Sequence, residues 1–146
     1  MKAAHLVRRF LTSLSRRPPS PEDDQWGRSW LDESEAALWI SMGAADRRHS
    51  IDVARRFAVR RPSATRAEMA GALLHDVGKS ASALGTLGRV VATAVGPRTE
   101  RLRRYHDHEA IGADMVAGVG ADAVTVALIR GAGPAADDLR GADDSI

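Results

Sequence analysis

The chain has 146 residues, of which 44% are hydrophobic and 27% charged, and its formal net charge is +2. That length and balance predict one globular domain with a hydrophobic core of its own. Because the chain contains no cysteine, disulfides, cysteine-ligated zinc and thiol catalysis are excluded, and any metal must be held by histidine or carboxylate side chains.

The basic residues are almost all arginine, since Lys2 and Lys79 are the two lysines among 21 basic side chains. Together with abundant alanine, this bias is typical of GC-rich coding sequences. It does not predict a nucleic-acid partner, which would need basic residues clustered on one face. No segment has the roughly 20 consecutive apolar residues of a membrane span. Arg8 and Arg9 interrupt what would be the apolar region of a signal peptide, so we expect a cytoplasmic protein.

Helical periodicity dominates the chain, and no stretch alternates apolar and polar residues over the length of a strand. A first helix is predicted before the proline pair at 18–19, and Pro21 opens a short second helix. Asp32 and Glu35 form a capping-box pattern at the start of the next helix. The tryptophans are expected to belong to an N-terminal core cluster, made of Trp26, Trp30 and Trp39.

A longer pattern predicts a helix from Ala44 to Arg60, with His49 on the apolar stripe that faces the core. Thr65 and Glu68 repeat the capping-box pattern before a strongly apolar helix, and Gly78 is expected to end that helix as its C′ residue. Four arginines at the end of the longer helix are predicted to form a solvated face: Arg55, Arg56, Arg60 and Arg61.

The last third of the chain is predicted to be helical as well. Two amphipathic helices are expected over about residues 99–119 and 121–130. The acidic tail is expected to fold back as a last short helix, with Leu139 and Ala142 as its apolar contacts. The sequence therefore predicts an all-α bundle.

One short motif, Ala72-Leu-Leu-His75-Asp76-Val-Gly-Lys79, places a histidine and an aspartate in an almost wholly apolar stretch. An ionised Asp76 there costs several kcal/mol unless a cation or strong donors meet it. On a helix the two side chains point about 100° apart, so they can share one ion only beyond the helix end. The structural alternative is a histidine that interacts with the helix dipole and an aspartate bonded to a neighbouring turn. His49, taken alone, is more typical of a core histidine than of a ligand.

With His49 lying 26 residues before His75, the His-Asp-Val-Gly-Lys motif resembles the HD-domain superfamily of metal-dependent phosphohydrolases. The signature of that superfamily is a His, a His-Asp pair and a later Asp on separate helices. The resemblance implies a metal site made of His49, His75, Asp76 and a late aspartate. The pattern Leu139-Arg-Gly-Ala-Asp143 favours Asp143 as this last ligand, over the alternatives Asp137, Asp138 and Asp144.

The resemblance also implies a fold and a domain organisation. It covers about residues 44–144 and implies a phosphodiesterase-like helical bundle. Residues 1–43 are then a short N-terminal helical extension packed on the domain, and residues 44–146 form the HD domain.

The expected ligands indicate the chemistry. Two imidazoles and two carboxylates suit one divalent ion, with manganese, iron, cobalt, nickel, zinc and magnesium all compatible. The resemblance implies a phosphohydrolase that cleaves a nucleotide or another small phosphate ester with metal-bound water as the nucleophile. Asp76 would orient or deprotonate that water. Lys79, and more weakly Arg48, would bind the phosphoryl oxygens.

A later segment, His108-Glu-Ala-Ile-Gly-Ala, resembles a helix of many HD proteins in which a histidine faces the metal centre. This favours His108 as the acid for the leaving group or as a ligand of a second ion. His106, about 200° away on the same helix, is then left at the surface. A surface position in a charged helix is the alternative for His108.

The chain also departs from the family, because no histidine follows His108, whereas many members carry a His-His pair before the last Asp. A complete two-metal centre is therefore not predicted. The departure favours an alternative function, a non-catalytic HD module with a regulatory or partner-binding role and a vestigial metal site. The expected partner of the enzyme is a small phosphorylated molecule, most simply a nucleotide, and a homodimer is left open.

Overall fold

The computed structural model describes residues 17–79 and 97–146, with side chains in the second range described from residue 108 onward. The helix predicted before Pro18 and the side chain of His106 lie outside these described parts. The described residues form helices and no strand, which confirms the all-α prediction. In chain order the helices are α1 (Pro21–Arg28), α2 (Glu33–Ser41), α3 (Ala44–Arg60), α4 (Arg66–Leu74), α5 (Pro97–Gly118), α6 (Ala123–Ile129) and α7 (Ala136–Asp144). Within these ranges, none of the helices has both the length and the apolar character needed to cross a bilayer.

Side-chain caps set where several helices begin. Both predicted capping boxes are present. Asp32 accepts a hydrogen bond from the backbone N–H of Glu35, and Glu35 accepts one from the N–H of Asp32. Thr65 and Glu68 exchange the same pair of bonds at the start of α4. Because a good N-cap stabilises a helix by about 1 kcal/mol, these boxes help to stabilise α2 and α4 and fix where they begin.

The hydrophobic core is formed mainly where α4 packs on α3 and α6, α7 packs on α3, and α5 packs on α6. Trp39 and Met42 lie in this same core, although they come from the segment predicted as an N-terminal extension. Trp26 and Trp30 are partly buried and pack against it. The boundary at residues 43 and 44 stays a prediction. The largest fully buried side chains include Trp39, Phe57, Met42, Ile51, Met69, Leu73 and Leu74.

Buried polar bonds tie α3 and α4 to their neighbours. The indole Nε1 of Trp39 donates to Ser50 Oγ at 2.9 Å, and Ser50 Oγ donates to the carbonyl of Arg47 at 2.7 Å. Thr125 Oγ1 donates to the carbonyl of Ala67 at 2.7 Å. Because these groups are buried, leaving one of them unpaired would cost about 1–3 kcal/mol. The bond from Trp39 holds α3 against α2 directly beside His49.

The arginines predicted as a solvated face are largely exposed, but they also contact other helices. Arg55 pairs with Asp23 of α1 at 2.6 Å. Arg56 donates to Ser145, at the end of α7, at 3.0 Å. The predicted face is therefore exposed, and it also reaches the ends of α1 and α7.

Arg61, which follows α3 directly, joins three helices. Its guanidinium pairs with Glu68 of α4 at 3.0 Å and with Asp138 of α7 at 3.5 Å. Glu68 is 5% exposed and accepts the backbone N–H of Thr65 at 3.0 Å. Burial by itself would raise the pKa of Glu68. The hydrogen bonds from Thr65 and Arg61 outweigh that effect and hold this pKa below its ordinary value.

We expect Glu68→Gln to lower the free energy of unfolding by about 1–3 kcal/mol near neutral pH, because it weakens the acceptor for Arg61 and Thr65. Since the folded-state pKa of Glu68 is the lower one, its contribution is present above the unfolded-state pKa and is lost as pH falls through the folded-state pKa. The stability difference between wild type and variant should therefore shrink in acid.

Urea unfolding at neutral and acid pH measures this stability difference. Glu33→Gln, at an exposed first-turn position of α2, is the matched control. A difference that persists or grows in acid would contradict the prediction.

Candidate metal centre

Three of the side chains predicted as metal ligands meet at one place in the bundle, although they come from separate elements. His49 lies on α3, His75 follows the last residue of α4, and Asp143 lies near the end of α7. One donor atom from each lies within 4.8 Å of the other two. The described residues therefore contain a His-His-Asp group that could hold a metal ion.

The turn that carries His75 and Asp76 begins where α4 ends, one residue before His75. The predicted C′ role of Gly78 is wrong, because α4 ends earlier and Gly78 does not adopt the left-handed conformation. Position 78 instead needs a residue without a Cβ, because the backbone of α5 passes very close to it. A Cβ added there would overlap the backbone carbonyl oxygen of His108 on α5. The site thus lies beyond the end of α4, as a shared ion requires.

The donor atoms have separations that one ion could bridge. His49 Nε2 lies 3.0 Å from Asp143 Oδ1, and His75 Nε2 lies 3.8 Å from the same oxygen. Ligand atoms at about 2.1 Å from a shared ion stand roughly 3–4 Å apart. Both imidazoles therefore direct Nε2 toward one carboxylate oxygen, with a spacing that suits metal coordination.

His75 gives the strongest indication of a metal-binding role. Its Nδ1 lies 2.7 Å from the carbonyl oxygen of Ala72, a contact that needs a proton on Nδ1. In the neutral imidazole Nε2 then carries the lone pair, and a backbone carbonyl is one of the usual partners of the other nitrogen in a metal-binding histidine. Within the described part of the chain, Nε2 is buried and has no hydrogen-bond partner. An ion at this position would remove the cost of burying that nitrogen unpaired.

Asp76 directs its two carboxylate oxygens to different partners. Oδ2 lies 3.4 Å from His75 Nε2 and 3.9 Å from His49 Nε2. Oδ1 lies 3.1 Å from Lys79 Nζ. Asp76 is 6% exposed, so a buried carboxylate is indeed met by positive or donor groups. Direct ligation by Asp76 stays a prediction, because the group of mutually close donors is formed by His49, His75 and Asp143.

The histidines and carboxylates shift one another's pKa values. Interactions with His49 and His75 hold the pKa of Asp143 far below its usual range, against the effect of burial. Burial disfavours a charged His75, but Asp143 and Asp76 outweigh burial and raise its pKa. For Asp76, burial acts to raise the pKa, whereas His75 and Lys79 bring it below its ordinary value. Both carboxylates are therefore held ionised, the form that binds a cation.

A cavity of about 550 Å³ opens beside the group. Cavities of this size accept small molecules. Its wall combines residues of the site with arginines from α3 and from the segment before α1. Both residues predicted to bind phosphate line this cavity. The lining includes His49, Asp76, Lys79, Arg48, Arg56 and Arg17.

His108 lies on α5 and is half-buried. Its backbone carbonyl packs against Gly78, one residue before Lys79. Among the described residues, the group of mutually close donors does not include His108. Its assignment as an acid or as a ligand of a second ion stays a prediction.

Two supports of the site were missed by sequence reasoning. The first is the carbonyl of Ala72, which orients His75. Its position three residues before a histidine at a helix C-terminus could have indicated it, since such side chains often bond the last carbonyls. The second is Arg56, which contacts Ser145 close to Asp143. No local pattern indicates this contact, because it depends on where α7 packs.

Comparisons of the chain with protein-family models, with curated proteins and with solved structures gave no match. The fold and the site alone therefore define the class, which is an all-α protein with a candidate His-His-Asp metal centre.

Proposed function

We propose that the protein is a metal-dependent phosphohydrolase of the HD-domain type, which acts in the cytoplasm on a nucleotide or another small phosphate ester. The observation that carries the proposal is His75, whose Nδ1 is held by Ala72 while its buried Nε2 faces Asp143 at 3.8 Å. A divalent ion in this group would supply Lewis-acid chemistry and an activated water for attack at phosphorus.

The residues proposed to hold the ion are His49, His75, Asp76 and Asp143. A mixed set of imidazole nitrogens and carboxylate oxygens is compatible with manganese, iron, cobalt, nickel, zinc or magnesium. These four residues would form one metal site. A second ion would need His108 as a further ligand.

Residues on the cavity wall would bind the substrate. Lys79 is half exposed and lies beside Asp76, so its ammonium group can also reach a phosphoryl oxygen in the cavity. Arg48 lines the same cavity and would contribute further positive charge. These cations would stabilise the negative charge of the phosphoryl group as it reacts.

Two residues are assigned to proton transfer. We assign Asp76, whose Oδ2 faces both imidazoles, to orient the attacking water or to accept its proton. His108 is the proposed acid for the leaving group. Its support is the packing of its backbone against Gly78, which lies between Asp76 and Lys79 in the chain.

A non-catalytic HD module with a vestigial metal site is the second candidate. The contact of 3.1 Å between Lys79 Nζ and Asp76 Oδ1 favours it, because this ion pair by itself would neutralise a buried carboxylate. The sequence after His108 also favours it, since the histidine pair of many family members has no counterpart there.

We expect the purified protein to carry about one divalent ion per chain and to hydrolyse a phosphate ester in its presence. The panel comprises nucleoside mono-, di- and triphosphates, cyclic dinucleotides and p-nitrophenyl phosphate, each with manganese, cobalt, nickel or magnesium. Asp76→Asn should lower kcat by at least about 100-fold.

The matched control is Asp114→Asn, which changes an exposed carboxylate on α5 and should leave kcat unchanged. Bound metal without turnover on any substrate would favour the module, and a protein that binds no metal would exclude the enzyme.

A further inference from the structure

Helix α7 carries Asp143, yet the end of this helix is electrostatically unfavourable. Its last turn contains no basic residue, whereas Asp143 and Asp144 both lie there. The C-terminal end of a helix carries partial negative charge, so carboxylates at that end repel it. A cation from another element would therefore stabilise the end of α7.

Arg56 of α3 supplies that cation. Its Nη1 donates to the carbonyl oxygen of Ser145 at 3.0 Å and to Ser145 Oγ at 3.1 Å. Ser145 is the C-cap residue of α7, two positions after Asp143. A guanidinium group at this point satisfies a terminal carbonyl and complements the helix dipole.

Arg56 shares a face of α3 with the site. It lies seven residues after His49, which is two helical turns, so both side chains project toward α7. His49 Nε2 is 3.0 Å from Asp143 Oδ1. Helix α3 thus contacts the end of α7 through the site and through Arg56, and the guanidinium of Arg60 lies beside Gly141.

We propose that Arg56 is a positioning residue for Asp143. It fixes the end of α7 on α3 and thereby keeps Asp143 Oδ1 against His49 Nε2. Leu139 and Ala142 are buried and hold the preceding turns of α7 on the core. Arg56 acts on the turn that carries the ligand. The role of Arg56 in metal binding rests on the proposed function, whereas its contact with Ser145 is independent of it.

The sign of the effect distinguishes positioning from simple electrostatics. Removing a positive charge near a cation site would, by charge alone, tighten metal binding. Loss of a positioning contact would weaken it. Mutations of residues that orient metal ligands typically weaken metal affinity 10- to 100-fold. A weaker affinity in Arg56→Ala would therefore indicate positioning.

The test measures cobalt affinity by visible absorption in the full-length protein. Arg56→Ala should weaken cobalt binding by about tenfold, and Arg56→Lys should recover part of the loss. Arg55→Ala is the matched control, since Arg55 is the adjacent residue and contacts Asp23 of α1 instead of α7. Unchanged or tighter cobalt binding in Arg56→Ala would overturn the proposal.

Two further measurements complete the test. In an Asp143→Asn background, Arg56→Ala should weaken cobalt binding no further, and an undiminished effect there would show that Arg56 does not act through Asp143. In metal-free protein, hydrogen exchange of the amides at 143–146 should be faster in Arg56→Ala than in Arg55→Ala. Equal exchange in the two variants would overturn the proposal. A wild-type protein that binds no cobalt would contradict the proposed function, and exchange would then decide whether Arg56 fixes α7.

Discussion

Asp143→Asn is expected to weaken divalent-metal binding by at least about 100-fold, more than the loss of a residue that only orients a ligand. The substitution removes the charged oxygen that lies 3.0 Å from His49 Nε2 and 3.8 Å from His75 Nε2. It preserves the size of the side chain, so α7 keeps its packing. Titration of metal-free protein with cobalt or zinc, in competition with a chelator, measures the affinity.

The matched control is Asp137→Asn. Asp137 lies in the first turn of the same helix, and its side chain is 94% exposed. The affinity of this variant should stay within about twofold of wild type, because the residue is not part of the group of close donors. Equal affinities in the two variants would reject Asp143 as a ligand.

The geometry of α7 supports Asp143 over the other carboxylates of the tail. Asp138 pairs with Arg61 at 3.5 Å, and Asp137 pairs with Arg140 at 3.3 Å. Asp144 is exposed. From the sequence alone, only the family resemblance could favour one of these aspartates as the metal ligand, since all four occur within eight residues. Their separation depends on which face of α7 packs against α3.

Local features of the sequence predicted much of the fold. The bounds of α3 at Ala44 and Arg60 agree with the structure, and both capping boxes form as predicted. These features depend on side chains within about one helical turn of each other, so a single sequence contains the information. The predicted apolar contacts of the tail, Leu139 and Ala142, are also buried.

Contacts between helices were predicted less well. The arginines of α3 lie on a polar face, and a local pattern cannot show that the end of another helix lies beside that face. Arg56 and Arg61 both reach α7 from it. The sequence predicted only the apolar contacts of the tail, whereas hydrogen bonds from Arg56 also hold it on α3.

Gly78 is a second residue whose role depends on a contact between helices that the local sequence does not show. Its place after an apolar helix suggested a helix stop, a local role. The structure gives it a role between helices, because α5 crosses the chain at this point with its own glycine, Gly112, facing Gly78. The atoms around a hypothetical Cβ at Gly78 belong to the backbone of His108 and Gly112, so no side-chain rotation can make room.

Gly78→Ala is therefore expected to lower the free energy of unfolding by about 3 kcal/mol or more, because overpacking against backbone forces α5 away. A Cβ at this position would lie 2.8 Å from the backbone nitrogen of Gly112 and would overlap the carbonyl oxygen of His108. Metal affinity should fall as well, since the displaced turn carries His75.

Gly118→Ala is the matched control, because a Cβ there meets nothing within 4 Å. It should be neutral or stabilising by up to about 1 kcal/mol, as alanine favours helix over glycine. Urea unfolding and cobalt titration of both variants measure these effects. Wild-type stability in Gly78→Ala would mean that α5 does not pack against the turn, and the assignment of His108 to the site would lose its support.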